Sequence, residues 1–298
     1  MPLVLKYSSS QPMMGTTATI TVLAENPESH VSEGMKMLTD LHNLWSRFLP
    51  TSDISRLNVA KGKPTFVSQR TTHLIRCMQV AHAATKGYYN PTLLPIQHQL
   101  GDNMSRHTND ISYISPSARP YEALNEIQII DTEHVQIPAD MTLDAGGIGK
   151  GLASDFVAKK LLTDGALSVS INIGGDIRVG CSPNYAHDWD IEILDFHRTV
   201  ISVVSLRNGA IATSSSNVRA DAPSHITSHV LQINNSNDSR MKTASVISSE
   251  AMWAEAWTKY VMLAPQPFTD LEETGQSALL AVEGSAFQFS QHWKEFEL

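Results

Sequence analysis

In residues 143–155, a glycine-rich turn that carries one acid and one lysine leads into an apolar helix. Glycines at positions 146, 147, 149 and 151 allow backbone conformations closed to residues with a Cβ, so amide N–H groups can point inward. Lys150 adds a positive charge beside the helix N-terminus, and Asp144 is suited to the metal ion that accompanies a polyphosphate. The segment predicts a phosphate-binding turn. The alternative is a loop that only joins a strand to a helix.

The glycine-rich segment differs from two common nucleotide-binding motifs. Lys150 is followed by Gly151 rather than by Ser or Thr, so the segment is not a Walker sequence. It also lacks the Gly-x-Gly-x-x-Gly spacing of a dinucleotide fold. Its place between a predicted strand and a predicted helix favours an anion site over a purely structural turn.

Further motifs follow one another along most of the chain. They are residues 14–16, 45–48, 52–58, 87–92, 170–178, 210–215, 225–229 and 254–259. In this order and at these separations, they resemble the FAD:protein FMN transferase family, also called the ApbE family. The resemblance covers roughly residues 14–265, and its specific parts are residues 144–155 and the Asn-Ile-Gly-Gly-Asp segment at 172–176. The second segment predicts a tight turn at a strand end that supports the site.

The resemblance implies both a fold and an activity. The expected fold is α+β, with mixed or antiparallel sheets and packed helices, in one large domain or two closely packed lobes spanning residues 1–298. The implied reaction attaches FMN from FAD covalently to a Thr or Ser hydroxyl of an acceptor protein and releases AMP. FAD and an acceptor protein are therefore the expected partners.

The family's metal site is altered in this sequence. The resemblance implies a Mg²⁺ ion held by a helical Asp and Thr four residues apart and by a backbone carbonyl, at positions that match Glu255, Lys259 and Gly147. An ammonium group is a donor-only cation and cannot ligate Mg²⁺. Lys259 then replaces the charge of the metal or pairs with Glu255. The alternative is a family-like Mg²⁺ site that uses Thr258 instead.

Two histidines are candidates for the proton acceptor that the resemblance implies. Counting back from the predicted strand at 244–247 favours His229, with His225 second, and a structural or surface role is the alternative. Lys150 completes the implied catalytic set. The residues implied to bind the flavin nucleotide are Met14, Phe48, Tyr88, Tyr89, Asn90, Asp144, Lys150, Thr213, Ser214 and Val230.

Three of these positions carry open alternatives, and a neighbouring position departs from the family pattern. Phe48 provides an aromatic face for stacking, but it is equally suited to a core beside Trp45. The hydroxyls of Thr213 and Ser214 can bond phosphate oxygens or cap a strand end. Ser215 stands where the family has glycine.

Composition narrows the classes of partner. The 298 residues carry 30 acids against 22 bases, which disfavours nucleic acid and anionic membranes as partners. Two cysteines predict reduced thiols rather than a disulfide framework. No stretch approaches the roughly 20 apolar residues of a membrane span, and the N-terminal residues show no signal-peptide pattern. A cytoplasmic location is the expectation.

Periodicity predicts alternating strands and helices. Helices are expected at 29–47, with Ser29 as the cap, and at 69–86, 149–163 and 249–263. Strands are expected at 16–24, 168–172, 189–194, 199–206 and 229–233, and a hairpin at 126–130 and 134–137. Residues 101–120 are polar and predict a surface loop.

Three hypotheses about function remain open from the sequence. The first is a flavin transferase, and the second is a hydrolase of the same ancestry that cuts FAD to FMN and AMP. The third is a relative that binds FAD or another nucleotide without turnover. The departures at Ser215, at Lys259 and at residues 232–233, where Gln-Ile replaces the Asp-Pro of the family, support this hypothesis.

Overall fold

The computed structural model describes residues 3–102, 104–105, 110, 112, 114–216, 240–271 and 273–298. His225, His229, Val230 and the strand predicted at 229–233 lie outside the described residues. The strands are β1 (Leu5–Met13), β2 (Thr16–Ala24), β3 (Thr65–Phe66), β4 (Gln128–Ile129), β5 (His134–Gln136), β6 (Ser168–Ile173), β7 (Asp176–Cys181), β8 (Trp189–Leu194), β9 (Val200–Leu206), β10 (Gly209–Ser215), β11 (Lys242–Ser248), β12 (Ser277–Val282) and β13 (Gln288–Phe289). The helices are α1 (Pro27–Trp45), α2 (Asp53–Asn58), α3 (Gln69–Ala84), α4 (Leu94–Gln99), α5 (Gly149–Thr163) and α6 (Ala251–Leu263).

One eight-stranded sheet organises the chain, in the order β1-β2-β6-β7-β10-β11-β12-β13. A three-stranded sheet, β3-β5-β4, and the β8–β9 hairpin complete the strands. Every pair among the described strands is antiparallel. This arrangement confirms the expected α+β class with antiparallel sheets.

Two tight turns meet at one end of the large sheet. Met14 and Gly15, with φ of 50° and 74°, connect β1 to β2. Gly174 and Gly175, with φ of 67° and 99°, connect β6 to β7, and positive φ at both central positions is typical of hairpin turns that match strand twist. The Gly174 amide donates to the Thr17 carbonyl at 3.1 Å. The two turns therefore lie side by side, and the C-terminal end of β10 lies at the same end of the sheet.

Helices cover one face of the sheet. Helices α1, α3 and α5 bury their apolar residues with β2 and β6, and α6 packs on β10, β11 and β12. Side chains alternate along β10: Ala210 and Ala212 contact α6, whereas Ile211 faces the β8–β9 side. Because Ala210 and Ala212 have small side chains, α6 can approach the sheet closely. Among the described residues, no helix has both the length and the apolar character needed to cross a bilayer.

The predicted helix 149–163 and strands 16–24 and 189–194 are confirmed at their bounds, and the hairpin near 126–137 is confirmed as β4 and β5. The predicted cap at Ser29 is wrong. Helix α1 begins at Pro27, because proline suits the first helical turn, and the Ser29 hydroxyl donates to the Asn26 carbonyl. Helix α3 ends at Ala84, two residues earlier than predicted, and α6 begins two residues later.

The first turn of α6 takes its cap from another helix. Asp155 of α5 accepts hydrogen bonds from the Ala251 and Met252 amides at 2.9 and 3.0 Å, while Glu250 at the N-cap position makes no side-chain cap bond. Arg178 Nε lies 3.1 Å from Asp155 Oδ1. A single carboxylate therefore joins the start of α6 to α5 and to β7.

Asp155→Ala is expected to lower the free energy of unfolding by about 2 kcal/mol, since two amide donors lose their acceptor. Urea denaturation measures the change. Asp164→Ala, which removes an exposed ion-pair partner at the other end of α5, is the control and should cost no more than about 0.5 kcal/mol. Equal effects from the two variants would contradict the capping role.

Candidate active site

A cavity of about 510 Å³ opens at the edge of the sheet where the two turns meet. A volume of this size is typical of small-molecule sites. The predicted site residues that line it are Met14, Phe48, Tyr88, Tyr89, Asn90, Asp144, Gly147, Lys150, Thr213, Ser214 and Lys259. The fold thus brings to one place residues that are separated by up to 245 positions.

The glycine-rich segment forms a 3₁₀ turn, Ala145–Gly147, followed directly by α5. Asp144 caps this turn, because its Oδ1 accepts from the Gly146 amide at 3.1 Å. A Cβ on Gly147 would lie 2.6 Å from the Tyr89 ring, so only glycine fits against the ring. The N-terminus of α5 therefore faces the cavity, where its amides favour an anion.

Lys150 lies between two acids. Its Nζ is 3.0 Å from Asp176 Oδ2 and in direct contact with Glu255 Oε1. Glu255 is 1% exposed, and its second oxygen accepts from the Gly151 amide at 2.9 Å. Burial lowers the pKa of Lys150, but the charges of Asp176 and Glu255 outweigh burial and raise it above its ordinary value. The ammonium is therefore fixed in its charged form between the two carboxylates.

Lys259 is the second ammonium of this cluster. It donates to the Glu255 carbonyl at 2.9 Å and lies 4.0 Å from Glu255 Oε1. Burial lowers the pKa of Lys259 below its ordinary value, and the positive charge of Lys150 lowers it further. The negative charge of Glu255 acts in the opposite direction. Unlike Glu255, Lys259 reaches the cavity wall.

The end of β10 provides hydroxyl groups at the same wall. Thr213 Oγ1 is 2.8 Å from Ser245 Oγ, and Ser214 Oγ is 2.7 Å from Thr258 Oγ1. The Thr213 amide donates to Asp176 Oδ1 at 3.2 Å. Strand β10 is thereby tied to Asp176, one of the two acids that hold Lys150.

A guanidinium and an aromatic ring line another part of the cavity. Arg47 stacks over the Phe48 ring at 4.7 Å and donates to Asp102 Oδ2 at 3.1 Å. Its Nη1 contacts Gln97 and lies 3.9 Å from Asp144 Oδ2. Tyr88 meets Tyr260 edge to face at 5.2 Å. Ring faces and a cation of this kind suit a planar heterocycle.

Comparisons with known proteins identify the family of this chain. Residues 14–277 match the family described as the ApbE family. The chain belongs to the ApbE family. A FAD:protein FMN transferase from Vibrio cholerae serotype O1 is 26% identical in an alignment of 228 residues, and the match covers 69% of this chain and 64% of that protein. The alignment thus spans slightly less than two thirds of the length of this relative.

Solved structures show that the ApbE-family fold extends over nearly the whole chain. An ApbE protein from Thermotoga maritima is 21% identical with a TM-score of 0.83, and the match covers 99% of this chain and 100% of the other. The flavin transferase ApbE from Vibrio cholerae is 20% identical with a TM-score of 0.76, at the same coverages.

The residues at the predicted metal positions do not fit Mg²⁺. One carboxylate oxygen of Glu255 contacts the Lys150 ammonium and the other accepts from the Gly151 amide, while Lys259 adds a second ammonium. Two unit charges 4 Å apart repel by about 4 kcal/mol at an effective dielectric constant of ~20, and a divalent ion doubles this repulsion. Within the described ranges, no three carboxylate, imidazole or thiol groups converge as a metal site.

The arrangement therefore matches the predicted pairing of Lys259 with Glu255 rather than a Mg²⁺ site that uses Thr258. The position of Thr258 supports the same view, because its hydroxyl donates to the Glu255 carbonyl at 2.8 Å and contacts Ser214. Gly147 lines the cavity as expected, whereas Glu255 lies behind the two lysines.

Two residues that line the cavity were not predicted from the sequence as site residues. Arg47 was missed, although an arginine between Trp45 and Phe48 is a polar residue in an apolar run and signals a functional position. Asp176 was predicted only as part of a supporting turn, and it also pairs with Lys150. The Asn172 side chain accepts from the Gly175 amide at 2.9 Å, which confirms the predicted tight turn.

Tyr89 and Asn90 shape the cavity from below the glycine-rich turn. Asn90 Oδ1 accepts from the Thr92 amide at 2.9 Å and its Nδ2 donates to the Tyr121 carbonyl at 2.7 Å, so its side chain is fixed. Burial, and then the charges of Glu255 and Asp144, raise the pKa of Tyr89 well above its ordinary value. Tyr89 therefore stays a neutral phenol beside Gly147.

Proposed function

We propose that this chain transfers FMN from FAD to a Thr or Ser hydroxyl of an acceptor protein and releases AMP. Family membership and the Vibrio cholerae relative named FAD:protein FMN transferase support the proposal. The observation that carries it is that a helix N-terminus, two lysines and hydroxyl groups line the same cavity as the ring of Phe48 and the guanidinium of Arg47. Such a cavity offers contacts to both the phosphates and the rings of a dinucleotide.

The transfer requires one new bond and one broken bond. The acceptor oxygen attacks the phosphorus that carries the riboflavin half, the bond from this phosphorus to the bridging oxygen breaks, and AMP leaves with that oxygen. Negative charge that builds up on the phosphate oxygens is stabilised by the amides at the N-terminus of α5 and by the Lys259 ammonium. The hydroxyl proton goes to a base, for which we propose His229, with His225 as the second candidate.

Lys150 acts as a positioning residue in this proposal. Its charge is balanced by Asp176 and Glu255, so its main effect is to hold β7 and α6 against the glycine-rich turn. Lys259, which has no equally close carboxylate, supplies the cation that faces the ligand.

We also propose that the protein works in the cytoplasm, with FAD and an acceptor protein as partners and without nucleic acid or a membrane. Cys77 and Cys181 are unpaired. Burial, followed by the charges of Glu250 and Asp155, raises the pKa of Cys77 to about 11, so that it remains a thiol. The acidic composition supports the exclusion of polyanionic partners.

Incubation of the purified protein with FAD and a flavin-acceptor domain tests the activity. We expect AMP release in equal amount to a mass gain of one FMN on the acceptor, and no gain on an acceptor whose target Thr is replaced by Ala. AMP with free FMN and an unmodified acceptor would instead identify a hydrolase. Bound FAD without AMP would identify a binding protein.

A further inference from the structure

We propose that the Lys259 ammonium binds the pyrophosphate of the flavin nucleotide directly, so that this chain uses a lysine where a divalent cation would otherwise stand. The proposal rests on the proposed function, because it assumes a nucleotide with a pyrophosphate in the cavity. In this proposal Lys259 contacts the substrate, whereas a lysine that only formed a salt bridge within α6 would not.

The hydrogen-bond capacity of Lys259 supports this assignment. An ammonium group has three donors. Among the described residues, the Glu255 carbonyl is the one acceptor within hydrogen-bond distance, because Glu255 Oε1 is 4.0 Å away. The side chain is 17% exposed and lines the cavity. Donors thus remain for an anion that enters from the cavity.

The charges around Lys259 are independent support for the proposal that it binds the pyrophosphate. Asp176 and Glu255 are 7% and 1% exposed in their side chains, and both pair closely with Lys150. Two ammonium groups balance two carboxylates, so no acid of the cluster is left to attract a metal ion. A divalent cation near Glu255 would meet two like charges and a carboxylate whose oxygens are already bonded.

The neighbours of Lys259 are suited to phosphate oxygens. The same cavity is lined by Gly147, Gly149, Thr213 and Ser214, which bring amides at the start of α5 and hydroxyls at the end of β10. Positive charge, amides and hydroxyls are the groups that proteins use to hold a pyrophosphate.

FAD binding to the wild-type protein, followed by flavin fluorescence in chelator and in Mg²⁺, is the first test. We expect equal affinity in the two solutions. Titration of the protein alone with Mn²⁺, followed by the electron paramagnetic resonance signal of the free ion, should leave that signal unchanged. Neither measurement depends on turnover or on a variant that must fold.

Lys259→Met keeps the apolar stem and removes the charge. We expect FAD affinity to fall about 10- to 100-fold, the usual loss for a hydrogen bond to a charged group. Lys160→Met, on the exposed side of α5, is the control and should leave affinity unchanged. Lys259→Thr should make FAD binding stronger in Mg²⁺ than in chelator.

Three results would overturn the proposal. They are wild-type binding of FAD only with Mg²⁺, depletion of free Mn²⁺ by the wild-type protein, and unchanged affinity of folded Lys259→Met. The first two would leave the proposed function standing. Absence of FAD binding in both solutions would remove the proposed function and, with it, the role of Lys259.

Discussion

Glu255→Gln is expected to lower the free energy of unfolding by about 3–5 kcal/mol, because it leaves the Lys150 and Lys259 ammonium groups with one fewer buried counter-charge. The amide keeps the shape of the side chain and an acceptor for the Gly151 amide. The expected decrease in stability thus comes from the missing negative charge and not from a cavity in the core. Chemical denaturation with the midpoint and slope fitted separately measures it.

Two comparisons isolate the charge effect. Glu192→Gln neutralises an exposed acid on β8 and should change stability by less than about 0.5 kcal/mol. Adding Lys150→Met to Glu255→Gln should recover part of the loss, since an apolar replacement of a buried pair is often tolerated. A Glu255→Gln protein as stable as wild type would show that solvent or another group compensates for the missing charge.

Gly151→Ala is expected to cost about 3 kcal/mol, at the upper end of the range for overpacking. A Cβ at this position would lie 2.4 Å from the Ala251 carbonyl oxygen and 2.6 Å from the Met252 amide nitrogen. Both atoms belong to the backbone at the start of α6, so a rotamer change cannot relieve the clash. Helix α6 must move away and weaken the bond between the Gly151 amide and Glu255.

Gly149→Ala is the matched control for this effect. It lies on the same turn of α5, and its nearest contact is the Ala145 Cβ at 3.1 Å, a side-chain atom. Its cost should stay below about 1 kcal/mol, because alanine also favours the helix more than glycine does. If both variants melt at the same temperature, close approach of α6 is not what position 151 requires.

Elements with a strong pattern of their own could be predicted from the sequence. Helix α5 follows glycines and carries apolar residues at helical spacing, and β2 is a run of β-branched residues, so both have their predicted bounds. Strand β1 was missed because Ser8, Ser9 and Ser10 break the apolar alternation. It lies at the edge of the sheet and is largely exposed, so pairing with β2 holds it without an apolar pattern.

The site could be predicted only in part, for a similar reason. The resemblance identified residues that line the cavity, since they occur in compact motifs at typical separations. It did not reveal that Lys150 contacts both Asp176 and Glu255, because this contact joins segments from three parts of the chain. The contact between Arg47 and Asp102 likewise depends on tertiary packing.

The pairing of Lys150 with Glu255 also has a consequence for biosynthesis. The two residues are 105 positions apart, which corresponds to roughly 5 to 20 s of translation. Until α6 has been synthesised, Lys150 cannot pair with Glu255, and burying its charge without that carboxylate is unfavourable. Docking of α6 is therefore a late folding event, and the nascent chain completes the cavity only after that helix has left the ribosome.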